Sequence, residues 1–365
     1  MNKNNKIRVL VVDDSFFMRR LLRELINSHP EMEVVGEAKD GVEAIGQAIN
    51  LKPDVITMDF NMPRLTGAEA TGKILQEVEP LPVVLMVSAY TKEGAEETLE
   101  SLRAGAVDFI QKPSGELSLD IDRIKDEIFE KIKMAAKARV RVSRKVESRG
   151  AGEAASAKGY GEPREKKKKI KVSLAKVIVI GASTGGPPIV EDIMAALPSD
   201  LPAAVIIVQH MPKYFTASFA ERLDRISSLK IKEAEEKDEI KAGHGYVAPG
   251  DFHLEIKAKD NNSGKIIHLS KGEPFHGLRP AIDVTMKSVA EHYKNNIIGI
   301  ILTGMGEDGS QGMRTIKSAG GHTIVQEPET CVVDSMPSEV INNKMADEIL
   351  KPEKIAKRII ELIDQ

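Results

Sequence analysis

The sequence predicts two α/β domains in tandem. Three observations carry that reading: apolar β-branched runs alternate with helix-period segments over the first third of the chain, the pattern dissolves into charge in the middle, and it resumes at Leu174. At 365 residues the chain exceeds what one ordinary core serves. With 41% hydrophobic and 29% charged residues, it has the composition of globular domains, not of a disordered or fibrous chain. The single cysteine, Cys331, excludes an intrachain disulfide and a multi-thiolate metal site, so nothing requires an oxidising compartment and the cytoplasm is the expected location. The segment Met1 to Lys6 leads directly into a short apolar strand, and no run approaches the roughly 18 apolar residues of a membrane span. Neither a signal peptide nor membrane insertion is expected. The formal net charge of -3 favours no polyanionic partner overall.

In the first domain, residues 6–133, five strands are expected at Ile7 to Val12, Met32 to Ala38, Val55 to Met58, Val83 to Val87 and Val107 to Ile110. A last helix carries Ile121, Ile124, Ile128 and Ile132 on one face. Residues 134–173 read as a basic flexible linker, rich in Lys, Arg, Gly, Ala and Ser. It has no interleaved aromatics and no helix-turn-helix beside it, so nucleic acid is not the expected partner. In the second domain, residues 174–365, strands are expected at Lys176 to Ile180, Ala203 to Val208 and Ile297 to Thr303, with helices at Ile189 to Leu197, Thr216 to Ile226, Ile282 to His292 and Lys354 to Ile363. The stretch Gly245 to Leu269 has the pattern of an antiparallel hairpin, which predicts a mixed, mostly parallel and doubly wound sheet.

Asp13 and Asp14 follow the first strand and Asp59 the third, and ligands of open parallel sheets bind at strand carboxyl ends. Carboxylates gathered so closely call for a cation, and an all-oxygen set suits magnesium, which in turn favours a phosphoryl ligand. The fourth and fifth strand ends add a hydroxyl, Ser88, and a cation, Lys112. The simplest chemistry is attack by the Asp59 carboxylate on a phosphoryl donor to form an acyl phosphate. Any one of these residues alone is as well explained as a helix cap or a surface charge; the full set at successive strand ends is not.

The runs Val11-Val12-Asp13-Asp14-Ser15, Met58-Asp59-Phe60-Asn61-Met62-Pro63, Ser88-Ala89 and Lys112-Pro113 resemble the receiver domain of two-component response regulators. The resemblance implies a flavodoxin-like (βα)5 fold with Asp59 as phosphoacceptor. It also implies magnesium held by Asp14, Asp59 and the carbonyl of Asn61, with Asp13 assisting, and Ser88 and Lys112 reading the phosphoryl group. Phe109 stands at the position of the aromatic that changes rotamer.

In the second domain, Gly181-Ala182-Ser183-Thr184-Gly185 matches G-x-S-x-G, a turn that presents a serine hydroxyl beside backbone donors at a helix start. The same glycines would suit a phosphate loop, though a Walker lysine and the dinucleotide spacing are both missing. A nucleophilic serine needs a base, and the base an orienter. His210 follows the second strand and Asp308 the strand ending at Thr303, so Ser183, His210 and Asp308 share one rim; His253 and His276 remain rivals for the base.

Gly181 to Gly186, Gln209-His210-Met211-Pro212, Ala248-Pro249-Gly250, Arg279-Pro280-Ala281-Ile282-Asp283 and Leu302 to Gly309 resemble the catalytic domain of chemotaxis protein-glutamate methylesterases. That resemblance implies Ser183 as nucleophile, His210 as base and acid, Asp308 as its orienter, and backbone amides near Thr184 and Met305 as oxyanion donors. No cofactor is implied in the esterase site. Arg279 and Asp283 fit a structural salt bridge as well as substrate contact. The implied substrates are methylated glutamates in the cytoplasmic domains of methyl-accepting chemoreceptors, with glutamine deamidation by the same chemistry in some members, and the implied phosphodonor is a chemotaxis histidine kinase. A DNA-binding output lacks a reader element after Ser173. A nucleotide-binding or oxidoreductase output rests on the glycine turn alone.

Overall fold

The computed structural model describes residues 6–112, 125–137, 173–259 and 264–364, in two compact units. Most of the basic linker, together with Ile121 and Ile124, lies outside the described residues.

The first unit is a five-stranded parallel sheet of β1 (Ile7–Val12), β2 (Met32–Ala38), β3 (Val55–Asp59), β4 (Val83–Ser88) and β5 (Asp108–Gln111), in the order β2-β1-β3-β4-β5. This is the flavodoxin-like order. Strands β3 and β4 are buried along their whole length, as continuous apolar runs covered on both faces should be. The helices are α1 (Phe16–Asn27), α2 (Gly41–Leu51), α3 (Gly67–Glu77), α4 (Lys92–Arg103) and α5, residues 125–137. On α5, Ile128 and Ile132 are fully buried, each a contribution of about 2 kcal/mol by transfer from water. Ser15 caps α1 by accepting from the Met18 amide, so the acidic pair before it is not consumed as the cap. Thr66 and Glu69 form a reciprocal capping box at α3.

The second unit contains a seven-stranded sheet of β6 (Lys176–Ala182), β7 (Ala203–Gln209), β8 (Lys230–Glu233), β9 (His244–Val247), β12 (Ile297–Ile301), β13 (His322–Gln326) and β14 (Glu348–Leu350). Their order is β14-β13-β12-β6-β7-β9-β8, and every pairing in it is parallel. The antiparallel pair β10 (His253–Ala258) and β11 (Lys265–Ser270) forms a sheet of its own. The expected hairpin is therefore present but does not mix the main sheet, and Gly245 to Val247 belongs instead to parallel β9. Helices α6 (Gly186–Ala196), α7 (Phe215–Ile226), α8 (Ile282–Tyr293), α9 (Ser310–Ser318), α10 (Ser335–Asn342) and α11 (Pro352–Ile363) complete the unit. Its core gathers Val177, Val179, Ile206 and Val208 from the sheet with Met286 and Val289 from α8. No helix among the described residues is long and apolar enough to cross a membrane.

Candidate functional site

In the first unit the chain turns from β1 toward one sheet edge and from β3 toward the other, which opens a crevice at their carboxyl ends. There Asp13, Asp14 and Asp59 bring carboxylate oxygens within 4.8 Å of one another. Lys112, delivered by the end of β5, lies 2.8 Å from Asp59 Oδ1 and 3.1 Å from Asp13 Oδ2. Three carboxylates against one ammonium leave an excess of negative charge in a partly buried cleft, a donor set that fits a hard divalent cation such as magnesium. Burial pushes the Asp59 carboxyl up to about 6, with the Asp13 charge adding to the rise and Lys112 and the Phe60 amide opposing it. Lys112 is itself raised, because its carboxylate partners outweigh the effect of burial.

The other predicted residues are placed less directly. The Ser88 hydroxyl donates to the Gly94 carbonyl at 2.9 Å, turned into α4. The Asn61 side-chain amide donates to Glu97 on α4 at 2.9 Å. Phe109 is buried, and Lys131 of α5 hydrogen-bonds its carbonyl while lying 4.8 Å from its ring centroid. Lys131 was not singled out from sequence, since nothing in its spacing marks a lysine that leaves the helix surface for a strand end.

A raised Asp59 has a stability consequence. The fold favours its protonated form, a stabilisation that is complete below the ordinary carboxylate range and is lost as pH rises through about 6. Asp59→Asn, neutral at every pH, is expected to make the metal-free first unit more stable than wild type by about 2 kcal/mol at pH 8, with the difference vanishing near pH 4. Urea unfolding followed by circular dichroism at the two pH values checks this; a difference independent of pH would contradict it.

In the second unit, β6 is followed in space by β7 on one side and β12 on the other, and the crevice lies between β6 and β12. Ser183 and His210 are the residues that follow the last registered pair, Ala182 with Gln209, and the His210 amide donates to the Ala182 carbonyl. The Ser183 amide donates to the Thr303 carbonyl at 3.1 Å, which ties the Ser183 turn to the end of β12. Gln209 Nε2 donates to the Ser183 carbonyl at 2.9 Å. Gly185, at φ 75, makes the left-handed turn into α6, and Pro187 occupies the first turn, where its missing N–H costs nothing. Gly304 packs so tightly that a β-carbon there would lie 2.7 Å from Ser183 Cβ, so only glycine lets this loop approach. The next residue, Met305, has an exposed side chain.

His210 Nε2 lies 2.8 Å from Asp308 Oδ2. Asp308 is buried and also accepts from the Ile282 amide at 2.7 Å and the Asp283 amide at 2.9 Å. It caps α8, whose own N-cap residue, Ala281, contributes no side chain. Burial alone would raise the Asp308 carboxyl, but the His210 contact and the two amides outweigh it and hold it below the ordinary range. Next to it Asp283 is pushed up to about 6, chiefly by burial and further by the Asp308 charge, against the pull of the Gly312 and Gly309 amides. The two carboxyls are thus separated in acidity by their surroundings.

The nitrogen left for Ser183 is His210 Nδ1. Among the described residues the Ser183 hydroxyl forms no hydrogen bond to it. His253 is held by backbone through both nitrogens, donating to the Glu273 carbonyl and accepting from the Ala281 amide. His276 is exposed beside Glu307 at 3.6 Å. The salt bridge considered between Arg279 and Asp283 is not formed: Arg279 donates to the Gly272 carbonyl, and Asp283 Oδ1 accepts from the Gly312 amide at 2.5 Å.

Residues 178–359 match the CheB methylesterase family, and residues 9–122 match the response regulator receiver domain. A protein-glutamate methylesterase/protein-glutamine glutaminase of Thermotoga maritima is 46% identical over 98% of this chain and 98% of its own. A relative of the same name from Pyrococcus horikoshii is 43% identical over 98% of this chain and 94% of its own. The crystal structure of the Thermotoga maritima CheB methylesterase catalytic domain matches at a TM-score of 0.50 with 46% identity, covering 52% of this chain and 98% of that one. With near-full-length identity at this level, the chain belongs to the CheB methylesterase family, its methylesterase domain preceded by a response regulator receiver domain.

Proposed function

We propose that the chain is a cytoplasmic, phosphorylation-regulated protein-glutamate methylesterase and glutamine deamidase, acting on chemoreceptor cytoplasmic domains through Ser183, His210 and Asp308. The observation that supports this most is the convergence of the three residues at the carboxyl ends of adjacent strands, with the His210–Asp308 pair closed at 2.8 Å. Because the ionised Asp308 accepts a hydrogen bond from Nε2–H, Nδ1 is the basic nitrogen. Ser183 Oγ attacks the ester carbonyl as its proton passes to Nδ1, and the developing oxyanion is met by backbone amides at Thr184 and Met305. Methanol leaves with that proton. Water, deprotonated by Nδ1, then hydrolyses the acyl-serine to free glutamate. A glutamine follows the same path with ammonia as the leaving group.

In the receiver, Asp13, Asp14, Asp59 and the Asn61 carbonyl would hold magnesium, which when bound neutralises charge between the carboxylates and the phosphoryl oxygens. Asp59 Oδ1 is held by Lys112 and by the Phe60 amide at 2.8 Å each, leaving Oδ2 to attack phosphorus. The bond from phosphorus to the donor atom breaks and its electron pair stays on that atom; the donor proposed is the phosphohistidine of a chemotaxis histidine kinase. Ser88 would leave the Gly94 carbonyl for the phosphoryl oxygens, and Phe109 would change rotamer beside it.

Methanol release from a methylated receptor fragment, with and without a small phosphodonor and magnesium, tests the proposal. The full-length protein is expected to be stimulated by donor, and Asp59→Asn to remain at the basal rate. Stimulation that survives in Asp59→Asn would remove Asp59 as the switch, and release of no methanol by wild type would remove the activity.

A further inference from the structure

Helices α8 and α9 start without side-chain caps of their own: the residues at their N-caps are Ala281 and Gly309, and neither contributes a side-chain hydrogen bond. Each is instead capped by a carboxylate from the other's start. Asp308, immediately ahead of α9, accepts from the first two amides of α8, those of Ile282 and Asp283. Asp283, in the first turn of α8, returns the arrangement by accepting at Oδ1 from Gly312 in the first turn of α9. The exchange is buried. Asp283 and Asp308 are essentially fully buried, and Asp283 Oδ2 has no hydrogen-bond partner among the described residues. It is also tight: a β-carbon on Gly312 would lie 2.5 Å from Met286 Cβ and 3.2 Å from Asp283 Oδ1. A buried carboxylate with one oxygen unpaired is an expensive way to cap a helix, since an apolar residue there would avoid the desolvation.

We infer that Asp283 is a positioning residue for the hydrolytic site: by holding the start of α9 against the start of α8, its carboxylate fixes the angle at which Asp308 meets His210. This rests on the proposed role of the Ser183, His210 and Asp308 set. Asp308 is anchored to α8 through its own carboxylate, but its backbone belongs to the segment entering α9. The Asp283 bond closes the loop between those two anchors. Without it the start of α9 still packs on α8 through Gly312 against Met286 and through the Lys287–Gln311 hydrogen bond, but no side chain then fixes the direction of the Asp308 backbone, and the carboxylate can turn, because Oδ2 serves both His210 and the Ile282 amide. Asp283 touches no reacting atom. Its effect should therefore appear in turnover and in the His210–Asp308 hydrogen bond, with substrate binding untouched.

The experiment compares full-length wild type, Asp283→Ala and Asp283→Asn, all with phosphodonor and magnesium. Initial rates of methanol release give kcat and KM, and the low-field proton resonance of the His210 imidazole N–H bonded to Asp308 is recorded in each protein. Asp283→Ala is expected to lose about tenfold in kcat with KM unchanged, and its low-field resonance to shift upfield or broaden away. Asp283→Asn, which keeps an acceptor oxygen toward Gly312, is expected to stay within about twofold of wild-type kcat and to keep the resonance. Wild-type kcat and resonance in Asp283→Ala, even with lowered thermal stability, would overturn the inference by showing a purely structural cap. Equal losses in both variants would also overturn it, since charge and not the acceptor would then matter. If Asp283→Ala does not accumulate folded, Asp283→Ser carries the same expectation with a smaller loss. A wild-type protein that releases no methanol yet shows the resonance would count against the esterase reading alone, and the resonance would still decide on Asp283.

Discussion

Ser183→Ala is expected to lower methanol release from a methylated receptor fragment by at least about 10⁴-fold while leaving the protein folded. The fold should survive because the side chain makes no hydrogen bond that the turn depends on: the turn is held by the Ser183 amide to the Thr303 carbonyl, the Gly186 amide to the Ser183 carbonyl, and the Gln209 side chain to that same carbonyl. All three bonds use the backbone amide or carbonyl of residue 183 and persist with alanine. The Gly304 approach, which crowds Ser183 Cβ, is likewise satisfied by a methyl group. Substrate affinity should change little, so the loss should fall in kcat. Circular dichroism with initial rates checks both halves, and a folded variant retaining wild-type turnover would move the nucleophile elsewhere. His253→Ala, by contrast, should retain chemistry, since both of its ring nitrogens are engaged with backbone.

Asp308→Asn is expected to cost about 10⁴-fold in kcat, for a reason visible in the ring nitrogens. With Asp308 ionised, His210 Nε2 must donate, which leaves Nδ1 unprotonated toward Ser183. An amide in its place can turn its NH2 to Nε2, and the proton then moves to Nδ1, where it blocks the base. The substitution also has a structural price, because the same carboxylate accepts two α8 amides and an amide oxygen serves them less well. A loss of thermal stability of about 1 kcal/mol should accompany the loss of turnover. Near-normal turnover across neutral pH would take Asp308 out of the site, and a large stability loss with normal turnover would leave it a cap only.

Much of this architecture was legible in the sequence, because buried parallel strands must be continuous apolar runs. Ile7 to Val12, Ala203 to Val208 and the start of the Ile297 strand announced themselves in that way, and with them the rim on which the polar residues stand. The edges were harder to read. β8, with the sequence Lys-Ile-Lys-Glu, and the three-residue β14 carry too few apolar side chains to show a period, and β9 contains a glycine and only two core-facing apolar residues. Taking β9 for half of a hairpin followed from that brevity, and only its pairing with β7 and β8 reveals the parallel sheet. Within the sites, sequence marked Ser183, His210 and Asp308 as neighbours on a rim but could not choose the nitrogen that faces Asp308. Nor could it see that Ala281 and Gly309 would leave two helix starts to be capped across space, which turns on the crossing of α8 and α9 and not on local spacing. The inward turn of Ser88 toward Gly94 is a rotamer, and composition holds no record of it.

Strand β6, which leads directly into Ser183, is the fourth of seven in its sheet, with three strands on either side. Amides of such a strand exchange with solvent deuterium only when the sheet opens as a whole, whereas the outer strands β14 and β8 can fray alone. Ser183, His210 and Asp308 are carried by β6, β7 and the segment after β12, the central trio, so partial opening of either margin leaves their mutual geometry in place. Heat should therefore extinguish hydrolysis in the same cooperative step that exposes the β6 amides, with no earlier phase in which the protein is folded but inert.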